Sequence, residues 1–175
     1  MKKVNTKNLA LSGMFLAIGM LLPLLTGQIK EIGDSLLPMH LAVMLCGLIC
    51  GWKYGFTVGL ILPFIRSLTF GMPPIYPQAV WMSLELATYG LVIAIMYDIF
   101  KRKNIGYLYI SLIISMISGR IVWGITKAVL LGVSNKPFPF SAFLIGGFVD
   151  AIPGIILQLV LIPIIVTLVE RLKQK

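Results

Sequence analysis

Long apolar runs dominate the chain. They cover residues 9–26, 36–51, 54–70, 78–100, 105–131 and 141–169. Proline, glycine or charge separates most of them, at Gly27 to Ser35, Gly71-Met72-Pro73-Pro74-Ile75-Tyr76-Pro77, Lys101-Arg102-Lys103-Asn104 and Gly132 to Phe140. The second and third runs are short and meet at the tight boundary Gly51-Trp52-Lys53-Tyr54-Gly55. A membrane-crossing helix needs about 20 residues, so the pattern predicts an all-α protein with six transmembrane helices. The chain reads as a single integral-membrane domain over residues 1–175. No alternating ten-residue segments of a β-barrel appear, and no internal repeat of an inverted-repeat transporter. No A-x-A-like site follows the first run, which therefore reads as a membrane helix and not as a cleavable signal.

Composition removes other classes. Hydrophobic residues make up 58% of the chain, charged residues only 12%, and the mean hydropathy is +0.97. A soluble domain carries about 25% charge, so an ordinary globule and a disordered chain are both excluded. Nucleic-acid binding is excluded as well, despite a pI near 9.8, because such surfaces are densely charged and solvated. Six helices leave no room for a soluble catalytic domain. Cys46 and Cys50 lie four apart within one run and read as packing residues, since a redox pair is normally C-x-x-C.

Charge sets the expected orientation. Of the 15 basic residues, ten gather at one set of helix ends: Lys2, Lys3, Lys7, Lys53, Lys101, Arg102, Lys103, Arg171, Lys173 and Lys175. The opposite loops hold only Lys30 and Lys136. Positive residues accumulate on the cytoplasmic side, so both termini are expected there, and the loops at 27–35, 71–77 and 132–140 outside.

The remaining charges carry the functional signal. Arg66, Arg120, Lys127, Glu85 and Asp150 all fall within spans, as does the only histidine, His40. A charge at the bilayer centre costs about 2.5–3.5 kcal/mol, so these groups should face one another or an aqueous cavity. At about 1.5 Å rise per residue, most of them fall in the outer half of their helices, and the inner halves are almost purely apolar. Trp81, Glu85 and Tyr89 share one helix face, as do Arg120, Trp123 and Lys127; Gly146, Asp150, Gly154 and Gln158 repeat every four. Aromatic residues offer flat walls for a ring. The candidate substrate-binding residues are His40, Arg66, Tyr76, Trp81, Glu85, Tyr89, Trp123, Lys127 and Asp150.

The alternatives are structural. The charges can pair as Arg66 with Glu85 and Lys127 with Asp150, and the proline-rich loop with Tyr76 is either a rim over the cavity or a rigid connector. The longer outer loop, 27–35, is the better candidate for a gate. One histidine and two deeper cysteines do not make a metal site, and no cofactor is expected. Three bases against two acids leave the expected cavity at +1 with His40 neutral, which suits a carboxylate or a polar heteroaromatic ring.

Helix 1 has no charge from Leu9 to Thr26 and carries Gly13 and Ala17 at i and i+4. Such spacing permits close helix contact. Here the chain resembles the S components, the substrate-binding subunits of energy-coupling factor transporters. The resemblance rests on Gly13-Met14-Phe15-Leu16-Ala17, and on Leu37-Pro38-Met39-His40 leading to Gly47-Leu48-Ile49-Cys50-Gly51-Trp52-Lys53-Tyr54-Gly55. It also rests on Gly71-Met72-Pro73-Pro74 followed by Glu85-Leu86-Ala87-Thr88-Tyr89-Gly90. Where the family usually shows Ala-x-x-x-Ala, this chain begins with glycine. The resemblance implies a six-helix subunit that binds a small water-soluble vitamin or precursor from outside. It implies docking of helix 1, through Gly13 and Ala17, onto a transmembrane T component energised by two cytoplasmic ATPases. It also implies toppling of the whole subunit in the membrane. Pantothenate, pyridoxine and hydroxymethylpyrimidine suit the expected cavity; cobalamin is too large for it. The chain itself has no G-x-x-x-x-G-K-[ST]. Two further readings stay open: a membrane enzyme using Glu85 or Asp150 as a base with Arg66 as an anion clamp, and an assembly subunit whose charges merely pair.

Overall fold

The computed structural model describes residues 6–25, 36–100, 104–135 and 137–173. Every regular element among them is helical. Six principal helices follow in order: α1 (Thr6–Leu25), α2 (Pro38–Cys50), α3 (Trp52–Phe70), α4 (Val80–Ile99), α5 (Ile105–Val133) and α6 (Ile152–Lys173). Short helical turns at Ile75–Ala79, Phe140–Leu144 and Ile145–Val149 lead into α4 and α6. The outer loop 27–35, expected as a gate, lies outside the described residues.

The ends follow from local chemistry. Pro38 opens α2, where its missing N–H is unneeded. Gly51 and Gly71 close α2 and α3 with φ of 99° and 72°, which favour glycine. The last apolar run, expected as one helix over 141–169, is broken instead. A π-helical turn at Ile145–Val149, containing Gly146-Gly147, interrupts it, and α6 begins at Ile152 with Pro153 in its first turn, where a missing N–H is unneeded. Hydroxyls inside the helices are satisfied locally: Thr57, Thr88, Ser111, Thr126 and Thr167 each donate to the carbonyl four residues back.

Four stretches are long and apolar enough to cross a membrane: Thr6–Leu24, Ile75–Ile99, Ile105–Val133 and Phe140–Leu172. Six such spans were expected. α2 has only 13 residues and α3 carries Lys53 and Arg66. α2 is buried along nearly its whole length, so its neighbours and not its own surface meet the surroundings. The exterior is formed by stripes such as Ile113, Ile117, Ile121 and Ile125 on α5, and Ile152, Ile156, Val160 and Ile164 on α6.

Glycine fixes one side of the bundle. A Cβ on Gly55 would stand 2.7 Å from Gly47 Cα, and one on Gly59 would stand 2.5 Å from the Leu86 carbonyl carbon. Backbones of α2, α3 and α4 therefore meet directly. This seam holds α2 and α4 in fixed register, and with them His40 and Glu85.

Candidate functional site

Beyond the glycine seam the helices diverge. A cavity of about 380 Å³ lies among α2, α4, α5 and the segment before α6. It is lined by Leu37, His40, Gln78, Trp81, Met82, Glu85, Arg120, Trp123, Lys127, Leu131, Gly146 and Asp150. Six of the nine candidate residues thus meet in one place: His40, Trp81, Glu85, Trp123, Lys127 and Asp150. Gly146 lies beside Trp123, where a Cβ would stand 3.4 Å from the ring, an ordinary contact distance.

Glu85 is the hub. It is 2% exposed, and Oε1 accepts a 2.9 Å hydrogen bond from Arg120 Nη1. His40 Nε2 lies 3.3 Å from the same oxygen, within ion-pair distance but without hydrogen-bond geometry. Arg120 keeps Nε and Nη2 unpartnered, and both His40 nitrogens are unpartnered as well, although Arg120 is 4% and His40 2% exposed. Buried polar groups without partners cost about 1–3 kcal/mol each. Donors left open at a cavity wall are therefore a demand for a ligand atom or water.

Aromatic rings surround the other base. Lys127 Nζ sits 4.4 Å from the Trp123 ring centre, 5.3 Å from Trp81 and 5.2 Å from Phe138. Arg120 also lies over Trp123, at 5.9 Å. Trp123 is in turn held by Phe143 and Phe138. Asp150, at the end of the irregular segment, is exposed on the cavity wall.

Three expected residues lie elsewhere. Arg66 is buried but faces α1, where Nη1 donates to the Met20 carbonyl at 2.6 Å. The cause lies one turn earlier on α3, where Leu62 packs against Gly19 of α1 and directs this face toward that helix. The expected Arg66–Glu85 pairing is accordingly replaced by Arg120–Glu85. Tyr76 is 57% exposed and absent from the cavity lining, because the proline-rich segment carries it outward in extended backbone. Tyr89 lies beneath the cavity, buried against Gly119, with its ring 5.0 Å from His40. With Arg66 outside, Arg120 and Lys127 face Glu85 and Asp150, so the cavity is formally neutral and not +1.

Some lining residues were not anticipated. Gln78 was readable, being seven before Glu85 on the Trp81 face. Leu37 was not: it enters through a left-handed backbone, with φ of 51°, that no apolar pattern signals. Among the described residues no group of three or more His, Cys, Asp or Glu is arranged to hold a metal.

A body that is helical throughout the described residues, with an apolar exterior and a cavity lined by polar and aromatic residues, is that of a membrane protein. The family described as ECF transporter, substrate-specific component, matches residues 7–166, and the chain belongs to it. No curated protein and no solved structure gives a match.

Proposed function

We propose that this chain is the vitamin-binding subunit of an energy-coupling factor transporter in the cell membrane. Its single domain crosses the membrane six times with both termini cytoplasmic, the short α2 spanning only in the company of its neighbours. It takes up a small water-soluble vitamin or precursor and performs no chemistry on it. The ligand lies in the 380 Å³ cavity, within the range of small-molecule sites. Its ring stands against Trp81 and Trp123, and its polar atoms meet Arg120, His40, Glu85, Lys127 and Asp150.

The observation that carries this reading is the unpartnered nitrogens of Arg120 and His40, buried beside Glu85 at the cavity wall. A purely structural ion pair is stabilised by satisfying its donors; this one leaves donors unsatisfied in residues that line the cavity. Membership of the family supports docking on a T component energised by two ATPases. Gly13 and Ala17 are exposed on α1, and no atom lies within 4 Å of where a Gly13 Cβ would stand. A groove of about 440 Å³ runs beside Gly13 between α1 and α3. That face is open to a partner helix.

Mass spectrometry of small molecules that co-purify with the detergent-solubilised protein tests the reading. Pantothenate, pyridoxine and hydroxymethylpyrimidine serve as titrants. We expect one small polar compound at near-stoichiometric amount, released unchanged. Absence of any bound compound, with no response to the titrants, contradicts the reading; a chemically altered product favours an enzyme.

A further inference from the structure

A second chamber, of about 180 Å³, adjoins the first. Leu37 and Arg120 line both and form the boundary between them. On α4 and α5 the second chamber lies further along in the same direction, whereas at the start of α2 Leu37 touches both. On α4, Trp81 and Glu85 line the first chamber and Tyr89 the second. On α5, Trp123 and Lys127 line the first and Met116 the second. Toward α6, Gly146 and Asp150 line the first, and Phe148, Ile155 and Gln158 the second. It therefore lies beneath the outer cavity, behind the Arg120 guanidinium.

Its walls are apolar apart from three polar side chains, and two of those carry unpartnered atoms. Gln158 is 1% exposed and its Nε2 has no hydrogen-bond partner. Arg120 brings Nε and Nη2, likewise unpartnered. All three atoms are donors. A cavity of about 150 Å³ lined by aliphatic residues holds a benzene, so 180 Å³ accepts a short arm of similar bulk. The arm must be apolar along its length and carry an acceptor oxygen. A second buried anion would compete with Glu85 for Arg120 and pay desolvation in an apolar chamber, so a neutral carbonyl fits better than a carboxylate. A lipid acyl chain entering past the exposed Ile113 and Ile117 would leave all three donors without partners.

We infer that the inner chamber is a second subsite, which receives a short apolar arm of the ligand ending in a neutral carbonyl that accepts hydrogen bonds from Gln158 Nε2 and Arg120. This rests on the reading of the outer cavity as a ligand site. The ligand is then bipartite, with a ring between the tryptophans and an arm passing Arg120.

Two methionines report on the two chambers separately, Met82 on the outer and Met116 on the inner. The full chain, labelled with methyl-13C methionine in detergent, is titrated with three probes: 3-methylpyridine, 4-(pyridin-3-yl)butanamide and 4-(pyridin-3-yl)butanoate. We expect 3-methylpyridine to shift the Met82 methyl alone. The amide should shift both methyls and bind more tightly than the acid, and Gln158→Leu should weaken the amide about tenfold without changing 3-methylpyridine. If the amide moves Met82 but not Met116, or the acid binds as tightly, the inner subsite is wrong and the outer cavity stands. A Met116 shift that follows detergent chain length and not the probes gives the chamber to lipid and also overturns the inference. If no probe moves Met82, the outer site fails and the inference with it. The wild-type Met116 signal decides even where Gln158→Leu does not fold.

Discussion

The α2–α3–α4 seam and the α5–α6 side of the bundle are built on opposite rules. At the seam, glycines bring backbones into direct contact, and a Cβ on Gly47 would meet the Gly90 carbonyl oxygen at 2.5 Å. On the other side, two chambers are lined by residues of α5 and of α6 or the segment before it. Of the polar residues that the seam presents, Glu85 is held by Arg120 of α5, and His40 has both ring nitrogens without partners. The open side leaves nitrogens of Arg120 and Gln158 without partners. One half is a rigid wall that presents His40 and Glu85, and the other is a set of side chains waiting for a guest. Interiors at packing density tolerate neither extra nor missing atoms, so a cavity with open donors persists only where the rest of the bundle is fixed.

Substitutions separate the two halves. The largest effect is expected at the hinge between them. Glu85→Ala strands Arg120 as an unpaired buried charge, which costs about 3–5 kcal/mol, and should also weaken ligand binding tenfold or more, about 1.4 kcal/mol. Thermal unfolding and titration in detergent read the two terms. Next comes Gly55→Leu, whose side chain must enter backbone at the seam. Overpacking of this kind costs about 1–3 kcal/mol, and because it moves α2 against α4 the fraction that still folds should bind ligand more weakly. A Gly55→Leu protein of wild-type melting temperature would show that the seam is not close-packed.

Arg66→Ala sharpens the contrast between burial and site membership. It removes a charged hydrogen bond to the Met20 carbonyl, worth about 1.5–3 kcal/mol, and should change ligand affinity by less than about twofold. Its effect is on the α1–α3 contact, read by unfolding. The smallest thermodynamic change belongs to Gly13→Leu. With open space around it, stability should stay within about 0.5 kcal/mol and ligand binding should be normal, while uptake by cells carrying the whole transporter is lost. Normal uptake by this variant would remove the α1 face as the docking surface.

The helices and most of the cavity were legible because apolar runs and i, i+4 spacing report which face a residue occupies. That information placed Trp81 and Glu85 together, and Trp123 with Lys127. It could not tell how far a long side chain reaches or which neighbour its face meets. Arg66 shares a face with Gly55 and Gly59, yet its guanidinium extends to α1, whereas Arg120 supplies the partner of Glu85. The spacing of Gly146, Asp150, Gly154 and Gln158 suggested one continuous face. The segment is instead shared between two chambers, with Gly146 and Asp150 on the outer and Phe148 and Gln158 on the inner. Tyr76 shows a third limit, since a proline-rich turn has no periodicity from which to read direction.

Glu85 and its partners are the groups on which ligand binding should depend most. The direct measurement is calorimetric titration of the co-purifying compound into the wild type, Glu85→Gln and Arg66→Ala proteins, each depleted of it beforehand. Glu85→Gln should bind at least about tenfold more weakly than the wild type, and Arg66→Ala within about twofold of it. Equal affinity of all three proteins, or loss at Arg66 with binding intact at Glu85, would show that the ligand is not held at Glu85.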